Sequence, residues 1–537
     1  MRRLWVAVTA VAALSGCAAH RPPAADPLVA ALAAIDRADA RLLDGCYACL
    51  MEARDGYVAL LGSPLGGLAA RRRFDAELLI VLREKELTID TGGSMRRLEV
   101  AGAAVPAGYD VPRLLKRLSS LVPQATGLPD AAYTTFIVAH QPDAVTAAAD
   151  LAWLANAPLY QPVRDYLTLS VRCNPLTRIG AGVPTADQLA APSDDPPLLA
   201  YRRATCRGEK GLPALGSLYE AHPEMAEAAY YLSINEPLKM NGPSGQKRRL
   251  TVAAYAVLPL SPSVVYAMAI VSHSAGNCRE GLKYYDETLV LQDRHESAQL
   301  GRATCLTYLK RPGEAIEAAT RLIEWNSTKL LEAYYWRAYN HRVQEHLDSA
   351  RADIDASKRQ GSTAENRTLA GVIEYEQDDL TPAVDDLNRG WALSMARGCT
   401  AAWYLGLVHI KRDSWSDAAG GFERATSCFA RNVSEDKQGM AAMEALTDVD
   451  PEFRASQLEG FKAAIVEDER QQRAAALNTA TCYARGGNAA RAQQFLPTAE
   501  LEPSFAEQIQ ELKAFMDRQA EAAAPASSGA GARRPIQ

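Results

Sequence analysis

The sequence is poor in aromatic residues, has no excess of basic charge, and contains little apolar sequence long enough to cross a membrane. Phe, Trp and Tyr make up 7% of the 537 residues, and the formal net charge is −6. Nucleic-acid-binding domains usually carry a basic patch, so this balance predicts no nucleic-acid partner. After the N-terminus no segment approaches the roughly 20 apolar residues of a transmembrane helix. Frequent alanine and few β-branched runs favour helices instead.

Sequence motifs of common catalytic sites are also missing. The chain has no G-x-S-x-G, no H-E-x-x-H and no Gly-rich phosphate loop. His341 and His346 are five residues apart, which places them off a common helical face and disfavours a metal pair. No pair of carboxylates stands out as an acid and a base. We therefore predict no enzyme activity, no cofactor and no metal site.

The N-terminus has the layout of an export signal. Arg2 and Arg3 precede an apolar stretch over Leu4–Leu14, which is too short to span a bilayer. The sequence Leu-Ser-Gly before Cys17 resembles the lipobox of bacterial lipoproteins. The resemblance implies cleavage before Cys17 and lipidation of its thiol, so the mature chain is expected to be membrane-anchored through acyl chains. A plain secretory signal followed by a chance cysteine is the alternative.

The residue after the lipidated cysteine bears on the membrane to which the chain is sorted. In lipoproteins an Asp at that position tends to retain the protein in the inner membrane, and here the position is Ala18. The resemblance therefore implies a lipid anchor in the outer membrane, with the protein facing the periplasm.

A repeat of about 34 residues runs through the second half of the chain. Small residues recur with spacings of 34, 35, 33 and 35. These residues are Gly281, Ala315, Ala350, Ala383 and Ala418. The spacing resembles the helix-turn-helix unit of tetratricopeptide repeats, in which small residues let two helices approach closely. Gly406 in one helix and Phe422 in the next match the family's small and large positions best.

The resemblance implies an all-α fold, namely an α-solenoid of tetratricopeptide-type repeats with a degenerate helical N-terminal half. Loop-like breaks are predicted at 92–109, 180–197 and 241–249, where Gly and Pro cluster. The predicted segments are a signal peptide (1–16), a lipidated tether (17–28), an irregular helical region (29–190), degenerate repeat-like helices (191–262), the repeat array (263–430), C-terminal helices with a further repeat-like unit (431–520) and a disordered tail (521–537).

The cysteines other than Cys17 would lie in an oxidising compartment, where disulfides are permitted. Antiparallel packing of neighbouring helices predicts two bridges, Cys278–Cys305 and Cys399–Cys428. Two further candidate pairs are Cys173 with Cys206, and Cys46 with Cys49. The Cys46-x-x-Cys49 spacing could be a structural disulfide, buried thiols, a redox pair or part of a metal site.

The resemblance also implies a binding surface. In tetratricopeptide solenoids set positions of each first helix line the concave groove. Carried over, these positions hold His273 and the partner-binding candidates Tyr266, Tyr308, Tyr335, Tyr339, Arg342, Tyr375, Trp403 and Lys411. Aromatic rings supply rigid contact area, while the flanking cations would pair with carboxylates of a peptide. The alternative is that some of these rings merely pack between helices.

These expectations combine into a functional hypothesis. The chain is predicted to be a lipid-anchored periplasmic scaffold that binds a protein or peptide partner in its concave groove, in envelope assembly or secretion. One alternative is an α-solenoid enzyme of cell-wall or glycan processing that uses the N-terminal half, with paired desolvated carboxylates near residues 40–170. Another is a structural oligomer, which would follow if the chain's own C-terminal helices covered the Tyr335–Trp403 strip.

Overall fold

The computed structural model describes residues 26–114, 144–173, 195–236, 245–395, 397–446 and 451–523. Within these ranges every regular element is a helix, and consecutive helices pack against each other along the chain. The predicted all-α solenoid is therefore confirmed. No helix in these ranges is both long enough and apolar enough to cross a membrane. The predicted signal peptide and Cys17 lie outside the described residues.

The N-terminal half is built around one enclosed helix. Its helices are α1 (Pro27–Asp44), α2 (Tyr47–Ala59), α3 (Gly66–Glu86), α4 (Gly92–Gly102), α5 (Ala144–Leu154), α6 (Gln161–Cys173), α7 (Pro197–Cys206), α8 (Leu212–Ala221), α9 (Ala226–Asn235) and α10 (Gly245–Val257). All residues of α3 from Phe74 to Glu84 are buried, because α1, α2, α4, α6 and α7 contribute to the same core. A helix buried all round is the centre of a core rather than a surface repeat.

Two of the predicted breaks are helical in the structure. Helix α4 occupies most of 92–109, and α10 begins at Gly245 inside 241–249. Ser94, Leu98 and Ala101 are buried at positions four and three residues apart, which is one face of a helix. Gly92 stands at the first helical position, where the cost of glycine is small, so the glycine cluster starts this helix instead of preventing it.

The array consists of five helix pairs. Its first helices are α11 (Pro262–Ser274), α13 (Glu296–Tyr308), α15 (Leu330–Val343), α17 (Ala364–Glu376) and α19 (Cys399–Lys411). Its second helices are α12 (Cys278–Leu291), α14 (Pro312–Glu324), α16 (Leu347–Gln360), α18 (Leu380–Leu393) and α20 (Trp415–Ala445). Each small residue that marked the repeat is the fourth residue of a second helix, and all five are buried.

The small residues are needed because the paired helices pack very closely. A Cβ atom added at Gly406 would stand 2.6 Å from the ring of Phe422, which is itself fully buried. First helices also pack on the next first helices, α11 on α13 through to α17 on α19. This stacking places the first helices side by side along one surface of the solenoid, as the tetratricopeptide resemblance implies.

A long C-terminal hairpin crosses the array. Helix α20 continues to Ala445, well past the usual repeat, and packs along α21 (Pro451–Arg485). At about 1.5 Å per residue, its 31 residues span roughly 46 Å. The tip of the hairpin reaches the first helix pair: Phe453 is buried in a cluster with Ala275, and the Gln457 amide donates to the Ala275 carbonyl at 2.9 Å.

The chain ends in shorter helices that pack on α21. These are α22 (Ala489–Gln493), α23 (Leu496–Ala499) and α24 (Ala506–Ala523). Helix α24 extends to Ala523, so it includes the first residues of the segment that was predicted to be a disordered tail from 521. The remaining tail residues lie outside the described part of the chain.

Candidate functional site

An aromatic ladder connects the first three helix pairs along the surface of the first helices. We define it as His273, Tyr308, Trp336 and Tyr339. Neighbouring rings in this series have centroids 6.4, 6.0 and 6.0 Å apart, each in an edge-to-face arrangement. Tyr308 is the most open member, with 63% of its surface exposed. The sequence predicted Tyr308 and Tyr339 but missed Trp336, which joins them.

A cavity of about 820 Å³ lies where this surface meets the hairpin, and we call it the tyrosine pocket. Tyr335, Tyr339 and Tyr404 form its aromatic wall. Asn432 of α20 and Asp468 of α21 contribute from the hairpin. The volume falls within the range of about 300–1,000 Å³ that ligand sites usually have. Tyr404 and the hairpin wall were not predicted from the sequence, whereas Tyr335 and Tyr339 were.

Desolvation is marked inside the tyrosine pocket. Burial raises the pKa of Tyr335 to about 12, helped by the nearby Glu365 carboxylate. Burial likewise raises the pKa of Asp468, and its acidic neighbours Asp436 and Glu467 add to the effect, although an Asn432 hydrogen bond opposes it. A charge in this environment is screened less than at the open surface.

The two cations that the sequence predicts to pair with a partner's carboxylates already form ion pairs within the chain. Arg342 donates to both Glu376 oxygens at 2.6 and 2.9 Å. Lys411 donates to Asp378 at 2.9 Å, and its ammonium lies 4.2 Å from the ring centroid of Tyr375. In the free chain both cations are therefore paired with the chain's own carboxylates, and a partner's carboxylate would have to replace these.

Unlike these two cations, the two carboxylates that line the tyrosine pocket make no salt bridge in the described ranges. They belong to Glu365 and Asp468. Two cations line the pocket, and both are paired: Arg342 with Glu376, and Arg397 with Glu435 at 3.2 Å, so the unpaired charge of the pocket is negative. The arrangement of tyrosine faces beside carboxylates suits a cationic side chain, which both the rings and the carboxylates attract.

Some predicted groove rings are used for internal packing. Trp403 packs edge-to-face on Phe422 at 5.3 Å and contacts clusters that include Ala475 of α21. Tyr266 lies 4.7 Å from the His295 ring and 6.1 Å from that of Tyr285. For Trp403 the structure therefore matches the alternative in which a ring fills space between helices, and the hairpin covers this end of the strip.

The cysteines divide into bridged and free groups. Disulfides join Cys399 to Cys428 and Cys46 to Cys49, and Cys206 is also disulfide-bonded. The side chain of Cys173, the predicted partner of Cys206, lies outside the described residues.

The Cys46–Cys49 bridge is fully buried at the start of α2, where the Cys46 sulfur accepts a hydrogen bond from the Cys49 backbone N–H. Such a position matches the structural alternative for this pair.

The predicted Cys278–Cys305 bridge is wrong as a covalent bond. Both residues are free thiols, although their sulfurs lie within 4.8 Å of each other. Antiparallel packing brings the two sulfurs close together as expected, with His273 beside them, but no disulfide joins them.

The N-terminal half contains the desolvated carboxylates that an enzyme there would need, but they are closed off from solvent. Asp75, Glu77 and Glu84 have exposures of 0, 0 and 3%. Glu84 accepts hydrogen bonds from the hydroxyls of Tyr47 and Ser94 at 2.9 and 2.6 Å. Burial raises the pKa of each of the three carboxyls. Their inaccessibility argues for a structural role in the core around α3.

Comparisons with known proteins give resemblance to solved structures only. No family model matches the chain, and no curated protein matches it.

The similar structures are helical proteins of low identity. The APC/C hetero-tetramer Cut9–Hcn1 is 12% identical with a TM-score of 0.35, covering 84% of this chain and 93% of that one. Yeast Tom70 is 13% identical with a TM-score of 0.31, covering 90% and 100%. A human IFIT1 dimer with PPP-AAAA is 12% identical with a TM-score of 0.31, covering 79% and 90%. Scores this low carry no argument about function.

Proposed function

We propose that this protein is a lipid-anchored periplasmic scaffold that binds a segment of a protein partner in the tyrosine pocket and along the aromatic ladder. The observation that carries the proposal is the pocket itself, a cavity of about 820 Å³ walled by tyrosines on the array and by the hairpin opposite. Exposed Tyr308 extends the aromatic surface outside the cavity. Rigid aromatic side chains lose little entropy on binding and dominate protein interfaces.

The charge of the pocket defines which partner segment fits. Glu365 and Asp468 attract a Lys or Arg side chain, and the faces of Tyr335, Tyr339 and Tyr404 hold its aliphatic stem and charged head. A segment with one basic residue beside apolar residues therefore matches the site. The partner is expected in the cell envelope, in assembly or secretion, where the lipid anchor would hold the scaffold.

Site-specific photo-crosslinking tests the binding surface. A photoreactive amino acid at Tyr308 should crosslink to a protein in intact cells, and mass spectrometry should map the adduct to one contiguous segment containing Lys or Arg. The same amino acid at Val290, which is 85% exposed on α12, serves as the matched control. Adding Tyr335→Ala and Tyr339→Ala should abolish the Tyr308 adduct and leave any Val290 adduct unchanged.

A charge variant tests the cationic specificity separately. Asp468→Asn should weaken the binding that gives the Tyr308 adduct by at least about tenfold, since losing a charge-assisted contact costs about 1.5–3 kcal/mol. Arg431→Gln on the other side of α20, in a shallow cavity beside Trp391, is the control. Equal adduct yields from Tyr308 and Val290, or an adduct indifferent to Asp468, would contradict binding in this pocket.

The lipid anchor rests on the residues around Cys17 and is tested by fractionation. The wild-type chain is expected in the outer-membrane fraction, where it is released by detergent and not by salt. Cys17→Ser should appear in the soluble periplasmic fraction, because the acyl chains supply the membrane affinity. Lys411→Ser, distant in sequence from the signal, should fractionate like the wild type. Membrane retention of Cys17→Ser would refute the anchor and leave the groove proposal standing.

A further inference from the structure

Three potential metal ligands converge where the first two helix pairs meet. His273 is in the last turn of α11, Cys278 is the first residue of α12, and Cys305 is in the last turn of α13. One donor atom from each lies within 4.8 Å of the other two. Cys305 is fully buried, Cys278 is 8% exposed and His273 is half-buried. The cluster lies outside the tyrosine pocket, although His273 also belongs to the aromatic ladder, and its metal binding can be measured whatever the ladder binds.

The fold assembles this cluster through one tight turn and one helix contact. Gly276 has a φ of +79°, a left-handed conformation that glycine adopts without strain, and it reverses the chain between α11 and α12. The reversal brings His273 and Cys278 to the same side, five residues apart. Stacking of α13 on α11 then places Cys305 against both.

The donor types suit a soft or borderline metal ion. Both sulfurs belong to free cysteines rather than to a disulfide. A metal ion binds such cysteines as thiolates and displaces their protons.

The imidazole is held in place by a second residue. The Tyr285 hydroxyl lies 2.9 Å from His273 Nδ1, and Tyr285 is 1% exposed. Metal-bound histidines almost always have such a partner, which fixes the ring orientation and the tautomer.

One side of the cluster opens into a cavity. His273 and Cys278 line a space of about 830 Å³ together with Asn277, Arg279 and Tyr308. Accessible zinc sites have three protein ligands and an open fourth position, whereas closed structural sites have four protein ligands. Two thiolates and one Zn²⁺ also sum to zero charge, which suits a buried position.

We propose that His273, Cys278 and Cys305 form a Zn²⁺ site with one coordination position open to the cavity. In a tetrahedral site with Zn–S distances of about 2.3 Å, two sulfurs are about 3.8 Å apart. The present separations of up to 4.8 Å therefore require movements of about 1 Å. The proposed site explains why both cysteines are free thiols, because a disulfide between them would remove two of the ligands of the metal.

Metal titration of the full chain under reducing conditions tests the proposal. Zn²⁺ competed against a chromophoric chelator should bind one equivalent more to the wild type than to Cys278→Ser or Cys305→Ser, with affinity at this site lowered at least ~100-fold in both variants. Co²⁺ should give thiolate-to-metal charge-transfer absorption and the intense visible bands of four-coordinate cobalt. Tyr285→Phe, which keeps the ring and removes the hydroxyl, should weaken binding about 10–100-fold.

The controls separate metal binding from general thiol chemistry and from folding. Cys482 is a third free and fully buried thiol, away from any histidine of the cluster, and Cys482→Ser should bind Zn²⁺ like the wild type. His273→Gln keeps a polar side chain and should lose the site while retaining the wild-type circular dichroism spectrum. Equal Zn²⁺ binding by wild type and Cys278→Ser overturns the proposal, as does a Cys278–Cys305 disulfide that forms in the Zn²⁺-saturated protein.

Discussion

Replacing Gly406 by Ala is expected to loosen the fifth helix pair, even though alanine is the better helix former. The added Cβ would stand 2.6 Å from two ring carbons of Phe422 and 2.7 Å from a third, about 1 Å closer than carbon atoms prefer. Phe422 is fully buried, so its ring has no free space to enter. Overpacking of this kind costs about 1–3 kcal/mol, and the gain in helix propensity returns about 1 kcal/mol.

Gly420 provides the matched control for this substitution. It lies within helix α20, and a Cβ added there meets nothing within 4 Å. Gly420→Ala should therefore stabilise the helix by about 1 kcal/mol, whereas Gly406→Ala should destabilise it by about 1 kcal/mol net. Amide hydrogen exchange of peptides from α19 and α20 reports this local stability. The two variants should differ by about 30-fold in exchange rate.

A second substitution tests whether the clash with Phe422 causes the loss of stability. In a Phe422→Leu background the smaller side chain leaves room for the new methyl group, so Gly406→Ala should no longer speed exchange. If Gly406→Ala slows exchange in the wild-type background, as Gly420→Ala is expected to do, the close packing of α19 on α20 is refuted.

Three further predictions concern other parts of the chain. Replacing Cys399 and Cys428 together by Ser should lower the free energy of unfolding by about 3–4 kcal/mol, because the bridge closes a loop over a sequence separation of 29. Denaturant unfolding monitored at α19 measures this loss. Burial raises the pKa of Asp75 from 3.8 to about 7, so the folded state binds this proton more tightly and stability should fall as pH rises between those values. Asp75→Asn should flatten that pH dependence in urea midpoints measured at about pH 5 and about pH 8, and a parallel slope in both proteins would contradict it. Phe453→Ala should detach the hairpin tip from Ala275 at a local cost of about 3–5 kcal/mol, seen as faster exchange near Met443 and near Leu458 with α3 unchanged.

The repeat array could be predicted because its packing is periodic. The close contact of Gly406 on Phe422 has an equivalent in the preceding pair, Gly371 on Leu387, and the small residues at the start of the second helices recur every 33–35 positions. The glycine-rich segment before Leu98 was misread for a different reason. Gly92 and Gly93 suggested a loop, but they are the first two residues of α4. Burial of Ser94, Leu98 and Ala101 on one face stabilises this helix.

The site could be predicted only where it follows the repeat. Tyr335 and Tyr339 stand at first-helix positions, and the structure places both in the pocket. The pairing of the two cations was missed, although Arg342 and Glu376 are 34 residues apart and Lys411 and Asp378 are 33 apart. The repeat period itself therefore contained the signal, because residues one unit apart are neighbours on stacked first helices.

The contacts of the hairpin do not follow the repeat period and could not be predicted from it. Gln457 meets the Ala275 carbonyl across a sequence separation of 182, through a contact that occurs once. The convergence of His273, Cys278 and Cys305 is also a single event, although the short spacing of the first two across a repeat turn is a pattern that a search for ligands could use. Non-repeating tertiary contacts leave no period in the sequence, and residue pattern alone does not reveal them.

The hairpin decides how the concave surface can be used. An open solenoid would offer all its first helices to a long extended segment, but here α20 and α21 cross from the fifth pair to the first and cover Trp403. What remains accessible is the pocket beneath the hairpin and the ladder beside it, with Tyr308 at its exposed end. A bound segment must therefore be short enough to enter beside the hairpin, or its binding must displace the tip from Ala275. Because Phe453→Ala weakens the tip contact with Ala275 and does not touch the tyrosine pocket, it should leave the binding of a short segment unchanged and strengthen the binding of a long one, which distinguishes the two modes.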